Sequence, residues 1–211
     1  MTTPPGREDR PVAVVSVPDV RDYLRINAEL VAHLDAGHAR VRLAGTEGQR
    51  LLASGLAGPW NAVVEIDGRA GPELVAELNA PGLTVVCGGS AADGAGRSLR
   101  AGRLLIRGEA GAGLGYAMEG GTVVVLGAAG PRAGLNQRGG TIAALGAVDA
   151  LAGERQSGGR FFVHEDQIGP HAGRGARGGR LVRLVRENEV SRGLDPDDLS
   201  AYLEVLGLIA S

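Results

Sequence analysis

The 211-residue chain has no lysine, one cysteine and only 3% aromatic side chains. The missing lysine removes any Schiff-base nucleophile and any glycine–lysine phosphate loop. A lone Cys87 cannot form an intrachain disulfide. With a net charge of −2 and few aromatics, neither the electrostatic nor the stacking part of nucleic-acid binding is evident, and no nucleic-acid partner is expected. No apolar run reaches about 18 residues, so no membrane span is expected. The opening "MTTPPGREDR" lacks the apolar stretch of a signal peptide, which makes the cytoplasm the expected compartment.

What is abundant is glycine, 36 residues of it, and it falls on a beat. Indexed from a leading small residue, short apolar runs start at Ala39, Ala62, Gly82, Gly102, Gly121, Gly140, Gly159 and Gly179, spaced 23, 20, 20, 19, 19, 19 and 20. A second column of glycines, Gly45, Gly68, Gly88, Gly108, Gly127 and Gly146, follows six positions later. A third, Gly96, Gly115, Gly134, Gly153 and Gly173, keeps the same period. A self-similar period near 20 marks a solenoid, in which one coil cannot bury its own apolar face.

Within each run the side chains sort by parity, as they do in a strand. The second and fourth positions after each start are apolar (Val41/Leu43, Val64/Ile66, Thr84/Val86, Leu104/Ile106, Val123/Val125, Ile142/Ala144, Phe161/Val163), with Leu181/Arg183 in the last coil, and are read as core. The first and fifth carry Arg40, Asp67, Arg103, Arg107, Arg160, His164 and Arg180 and are read as outward; Cys87 falls among them. Stacked parallel strands fit this pattern, and eight coils at roughly 4.8 Å make a rod on the order of 38 Å long.

The third position is outward by parity yet apolar from Val85 onward: Val85, Leu105, Val124, Ala143, Phe162 and Val182. Such a ladder wants a cover, either one of the chain's own helices or a partner subunit docking on Val85, Leu105, Val124, Phe162 and Val182. Two helices are expected. One runs through "SVPDVRDYLRINAELVAHLDAG", with Ser16 and Asp19 in capping-box spacing, Val20, Tyr23, Leu24, Leu30, Val31 and Leu34 on one face, and Gly37 as its stop. The other, "LDPDDLSAYLEVLGL", starts at Asp195 as N-cap, with Leu199, Tyr202, Leu203 and Leu206 on one face. Capping the two ends of the rod is their simplest role. Residues 70–82 add a short helix or a loop turn. The layout is an N-terminal tail and helix (1–38), a parallel β-helix (39–186) and a C-terminal helix (187–211), one structural domain.

Catalytic chemistry is sparse. Gly173, Gly175 and Gly178 have G-x-G-x-x-G spacing, but a strand-like segment follows where a dinucleotide site needs a helix. "HEDQIGPH" offers His164, Glu165, Asp166 and His171 at no recognised metal spacing. Arg174, Arg177, Arg180, Arg183 and Arg186 form a basic cluster, first a solvated face and second a surface for an acidic partner. Neither catalytic nor cofactor nor metal residues are assigned.

The stretch "GRSLRAGRLLIRGEAG" (96–111) followed by "GYAMEGGTVVVLGAAGPRAGLNQRGGTIAALG" (115–146), with Tyr116, Met118, Gly120 and Gly121 ahead of "TVVVLG", resembles the GXGXG β-helix superfamily. That superfamily includes the C-terminal domain of the glutamate synthase large subunit, the stand-alone third subunit of split glutamate synthase-like enzymes such as N-methylglutamate synthase, and the β-helix component of formylmethanofuran dehydrogenase. The resemblance covers residues from about 62 to 185 and implies a right-handed parallel β-helix without catalytic residues of its own. It further implies two partners: a glutaminase-type (class II amidotransferase) subunit and an FMN-binding synthase subunit. FMN and an iron–sulfur cluster would then reside in the partner subunits. "RINAEL" (25–30) and the chain length favour the split glutamate synthase type. A component of a formylmethanofuran dehydrogenase or formyltransferase/hydrolase complex, and a free-standing ligand-binding β-helix, are the alternatives.

Overall fold

The computed structural model describes residues 12–17, 22–185 and 194–210. It is a parallel β-solenoid. Its main sheet has nine strands, each paired with its neighbour in parallel: β1 (Ala13–Ser16), β2 (Arg40–Ala44), β4 (Ala62–Ile66), β6 (Asn79–Cys87), β7 (Ala101–Ile106), β8 (Thr122–Val125), β9 (Thr141–Ala144), β10 (Ser157–His164) and β11 (Gly178–Leu184). Two short strands, β3 (Glu47–Gln49) and β5 (Arg69–Ala70), pair on a second face, and single bridges through Ala91, Ala110, Ala129, Val148 and Ile168 continue that line along the rod.

The expected parity holds in six of the eight coils. Val41/Leu43, Val64/Ile66, Leu104/Ile106, Val123/Val125, Ile142/Ala144 and Phe161/Val163 are all at most 1% exposed. The coil read from Gly82 is out of phase by one residue. There Leu83 pairs with Ala62, and Thr84 pairs with Arg103, so Val85 and Cys87 face the core while Thr84 and Val86 face out. The glycine misleads because this coil is 21 residues long by register, from Ala62 to Leu83, before the spacing settles at 19. Both the outward reading of Cys87 and the docking reading of Val85 are corrected by this shift: each is 0% exposed. In the last coil Leu181 is half-buried and Arg183 exposed, since no further coil among the described residues lies over them.

The third glycine column forms a corner of unusual backbone. In each turn three alternate residues have positive φ: Glu73, Val75 and Glu77; Gly94, Gly96 and Ser98; Gly113, Gly115 and Ala117; Arg132, Gly134 and Asn136; Leu151, Gly153 and Arg155; His171, Gly173 and Gly175. Residues 70–78 therefore make a turn and no helix. Gly115 shows the second demand on this column, because a Cβ there would sit 2.5 Å from Ile142 Cδ1. Elsewhere the coils simply stack too closely for a side chain. A Cβ on Gly139 would lie 2.1 Å from the Glu119 carbonyl oxygen.

Helix α1 (Tyr23–Asp35) closes the N-terminal end. Its N-cap is Asp22, whose carboxylate accepts from the Arg25 amide at 3.2 Å; Ser16 lies in strand β1, and Val20 lies outside the described residues. Gly37 stops it with φ +82 as expected. The buried face is Ile26, Asn27, Leu30 and Leu34, so Leu24 points into solvent.

Helix α2 (Pro196–Ala210) does not cap the other end. Tyr202, Val205 and Leu208 lie in one apolar cluster with Leu105, Val124, Ala143, Phe162, Val182 and Leu184. The Phe162 and Tyr202 rings are 5.3 Å apart. Of the two covers the ladder called for, the structure supplies the chain's own helix. Leu105, Val124 and Phe162 are 0% exposed and Val182 is 7%, which closes them as an open docking surface. The position in line with them on β6 is Val86, half-buried at the edge of the same cluster. The helix is rotated from its expected face: Val205 and Leu208 point in, and Leu203 and Leu206 stay exposed.

Candidate functional surfaces

The titratable residues singled out in the sequence do not converge. His164 ends β10, Glu165 and Asp166 sit on a short 3-10 turn (Glu165–Gln167), and His171 occupies a positive-φ corner position. Glu165 instead faces Arg183 at 3.7 Å. Among the described residues no three His, Cys, Asp or Glu side chains lie together as a metal site. The Cys87 thiol is enclosed between coils, near the carbonyls of Gly68 and Ser90 at 3.6 and 3.8 Å. Burial pushes its pKa up, which keeps it a neutral thiol and a poor nucleophile.

Concavities are shallow. One of about 220 Å³ lies at the seam between α1 and the first coils, lined by Asp35, His38, Trp60 and Asn61 among others. Three of these groups are already paired: Trp60 Nε1 donates to Asp35 Oδ1 at 2.8 Å, and His38 Nδ1 lies 3.0 Å from the His33 carbonyl. This seam joins cap to rod.

Buried polar side chains serve the fold in the same way. Gln137 and Gln156 stack in one inner column, with Gln156 Nε2 donating to Gln137 Oε1 at 3.1 Å and each amide also donating to carbonyls of neighbouring coils. Asn27 reaches from α1 onto the first corner, donating to Leu51 O and accepting from the Ala53 amide, both at 2.9 Å. Asp198, 1% exposed, pins the start of α2 to the rod through Arg160 at 2.7 Å and Arg180 at 2.8 Å. Asp195 receives the Asp198 amide at 2.9 Å and also pairs with Arg180; the amide first and the guanidinium second hold its carboxyl below the ordinary value of 3.8.

The surface arginines differ in their pairing. Many pair with an acid one coil away: Arg40 with Glu65, Arg42 with Asp67, Arg97 with Glu77, Arg138 with Glu119. Such exposed pairs are each worth about 0–1 kcal/mol. Arg155, Arg174 and Arg177, on the last corner, have no acid partner among the described residues. Gly173 and Gly175 belong to this corner, and Gly178 opens strand β11, so the G-x-G-x-x-G spacing is followed by a strand and not by a phosphate-binding helix. Among the described residues, the groups overlooked in the sequence, Asn27, Gln137, Gln156 and Asp198, make contacts that join the elements of the fold.

No family model, curated protein or solved structure matches the chain. No helix among the described residues is long and apolar enough to cross a membrane.

Proposed function

We propose that the chain is a β-helix subunit, without an active site of its own, of a multi-subunit flavin-dependent glutamine amidotransferase of the glutamate synthase type. In this reading it scaffolds a glutaminase-type subunit and an FMN-binding synthase subunit, and FMN and any iron–sulfur cluster belong to those partners. The observation that carries the reading is the corner column. The G-x-G pairs Gly94/Gly96 and Gly113/Gly115 have positive φ, within and beside the stretch whose wording resembles the GXGXG superfamily, and the fold around them is the parallel solenoid that the resemblance implies. The ladder under α2 lends no support, since the chain covers it itself; exposed Leu203 and Leu206 on the outer side of that helix are apolar surface that an assembly would bury. The test is co-purification of the tagged chain from its source cells. Stoichiometric glutaminase-like and flavin-absorbing chains in the eluate are the expected result; a monodisperse monomer with neither overturns the proposal. Partners of formyltransferase or amidohydrolase type would transfer the scaffold role to a formyl-transfer complex.

A further inference from the structure

The two ends of the solenoid are finished differently. At the N-terminal end Asn27 stands in for a missing coil: its amide satisfies Leu51 O and its oxygen satisfies the Ala53 amide. At the other end three rows of backbone donors stop without an acceptor. In one row Ala91 donates to Glu109, Ala110 to Ala128, Ala129 to Ala147 and Val148 to Gln167, each one coil on; Ile168 comes next. In the second, Glu73 donates to Asp93, Gly94 to Ala112, Gly113 to Pro131, Arg132 to Ala150 and Leu151 to Pro170; His171 comes next. In the third, Glu77 donates to Arg97, Ser98 to Tyr116, Ala117 to Leu135, Asn136 to Glu154 and Arg155 to Arg174; Gly175 comes next. No described residue accepts from Ile168, His171 or Gly175; His171 and Gly175 are exposed, so their amides form an open edge of the kind that another chain can pair with.

Charge marks the same corner. Arg155, Arg174 and Arg177 are exposed, and so are Gly175 and Ala176 beside them. The Arg155 side chain runs across Gly175, with its Cγ 3.5 Å from where a Cβ would stand. Amides and three guanidinium groups without partners among the described residues together favour carbonyl and carboxylate oxygens. A second copy of this chain does not meet that requirement, because like rims would bring arginine against arginine.

We propose that this rim docks an acidic, extended segment of a partner subunit, whose carbonyls take the place of the next corner and whose carboxylates meet Arg155, Arg174 and Arg177. The proposal rests on the subunit reading above for the existence of a partner, and strand addition to an open edge is the physical mode.

Two measurements on the full chain decide it. Hydrogen exchange resolved to single amides is expected to show His171 and Gly175 exchanging freely while their counterparts Leu151 and Arg155 are protected; slow exchange at both in the free chain overturns the proposal, because the chain then covers its own rim. A fluorescein-labelled octapeptide of alternating glutamate and valine is expected to bind, to lose affinity as salt rises, and to slow exchange at those two amides. The variant Arg155→Glu/Arg174→Glu/Arg177→Glu should weaken it by at least about tenfold, while Arg103→Glu/Arg107→Glu, equally exposed but elsewhere, should not. Equal binding of a lysine–valine octapeptide, or equal binding by both variants, overturns the proposal. If wild type captures its partner subunits and the triple variant captures them equally, the rim is wrong and the subunit reading stands. If wild type captures none, the subunit reading fails, and the exchange and peptide results still decide the rim.

Discussion

Asn27 both donates to Leu51 O and accepts from the Ala53 amide, at 2.9 Å each, and so completes the corner that α1 covers. It is 7% exposed, and removing its amide leaves the buried Ala53 amide without a partner, while Leu51 O keeps only the Ser54 amide at 3.3 Å. Such an orphan costs about 1–3 kcal/mol. Asn27→Ala is therefore expected to lower the unfolding free energy by about 1–3 kcal/mol in a urea titration. Asn27→Asp keeps an acceptor for Ala53 and should lose the donor to Leu51, falling between the two.

Asp198 and Asp195 hold the start of α2, and the lowered pKa of Asp195 predicts an acid-sensitive helix. The folded pKa of Asp195 lies below its ordinary value of 3.8, so its contribution is fully present above that value and is lost as pH falls through the lower, folded value. Amide exchange in α2 should accelerate on acidification below about pH 4 before the sheet amides respond. Asp198→Ala should produce the same loosening at neutral pH. It is expected to cost about 2 kcal/mol, short of a fully buried pair, because Arg160 and Arg180 keep access to water. An α2 whose exchange is indifferent to both changes would show that the ion pairs do not hold it.

The repeat, its strands and the inward columns were legible because they rest on local parity and glycine spacing. What was not legible depends on partners distant in sequence. Gly82 leads a run just as Gly102 does, yet register places Leu83 opposite Ala62, and a single residue exchanges Val85 for Val86 on the outer face. Both helices have apolar side chains on more than one face, so sequence alone did not decide whether Leu203 or Val205 turns inward. Asn27 interrupts an apolar face and was passed over, since its partners are backbone atoms that a side-chain pattern does not display. At the last corner Arg174 and Arg177 stood out in sequence as part of a cluster and Arg155 did not; their lack of acids among the described residues, and the amides beside them, appear only once the coils are stacked.

Close stacking predicts an uneven tolerance of alanine among glycines. At Gly139 a methyl group would stand 2.1 Å from a carbonyl oxygen of the preceding coil, which only a backbone shift can relieve. Gly139→Ala should cost about 3 kcal/mol. Gly207 lies in α2 with nothing within 4 Å of a Cβ, and there alanine should stabilise by about 0.5–1 kcal/mol through helix propensity. The pair of urea midpoints, moving in opposite directions, separates a packing demand from a general intolerance of substitution.

The ladder beneath α2 gives the most direct check of the architecture. Phe162 is 0% exposed and touches the Tyr202 ring, whereas Leu203, next in the helix, is 57% exposed. If α2 covers the ladder in solution, Phe162→Ala removes a core side chain and should cost about 3–5 kcal/mol. Leu203→Ala, on the outer side, should change stability by no more than about 0.5 kcal/mol. Deleting residues 194–210 should expose the ladder, with a rise in binding of a hydrophobic dye and concentration-dependent association, because Leu105, Val124 and Phe162 then form a continuous apolar strip. Equal, small effects of the two point substitutions, with no dye binding on truncation, would mean that α2 is not seated on the sheet.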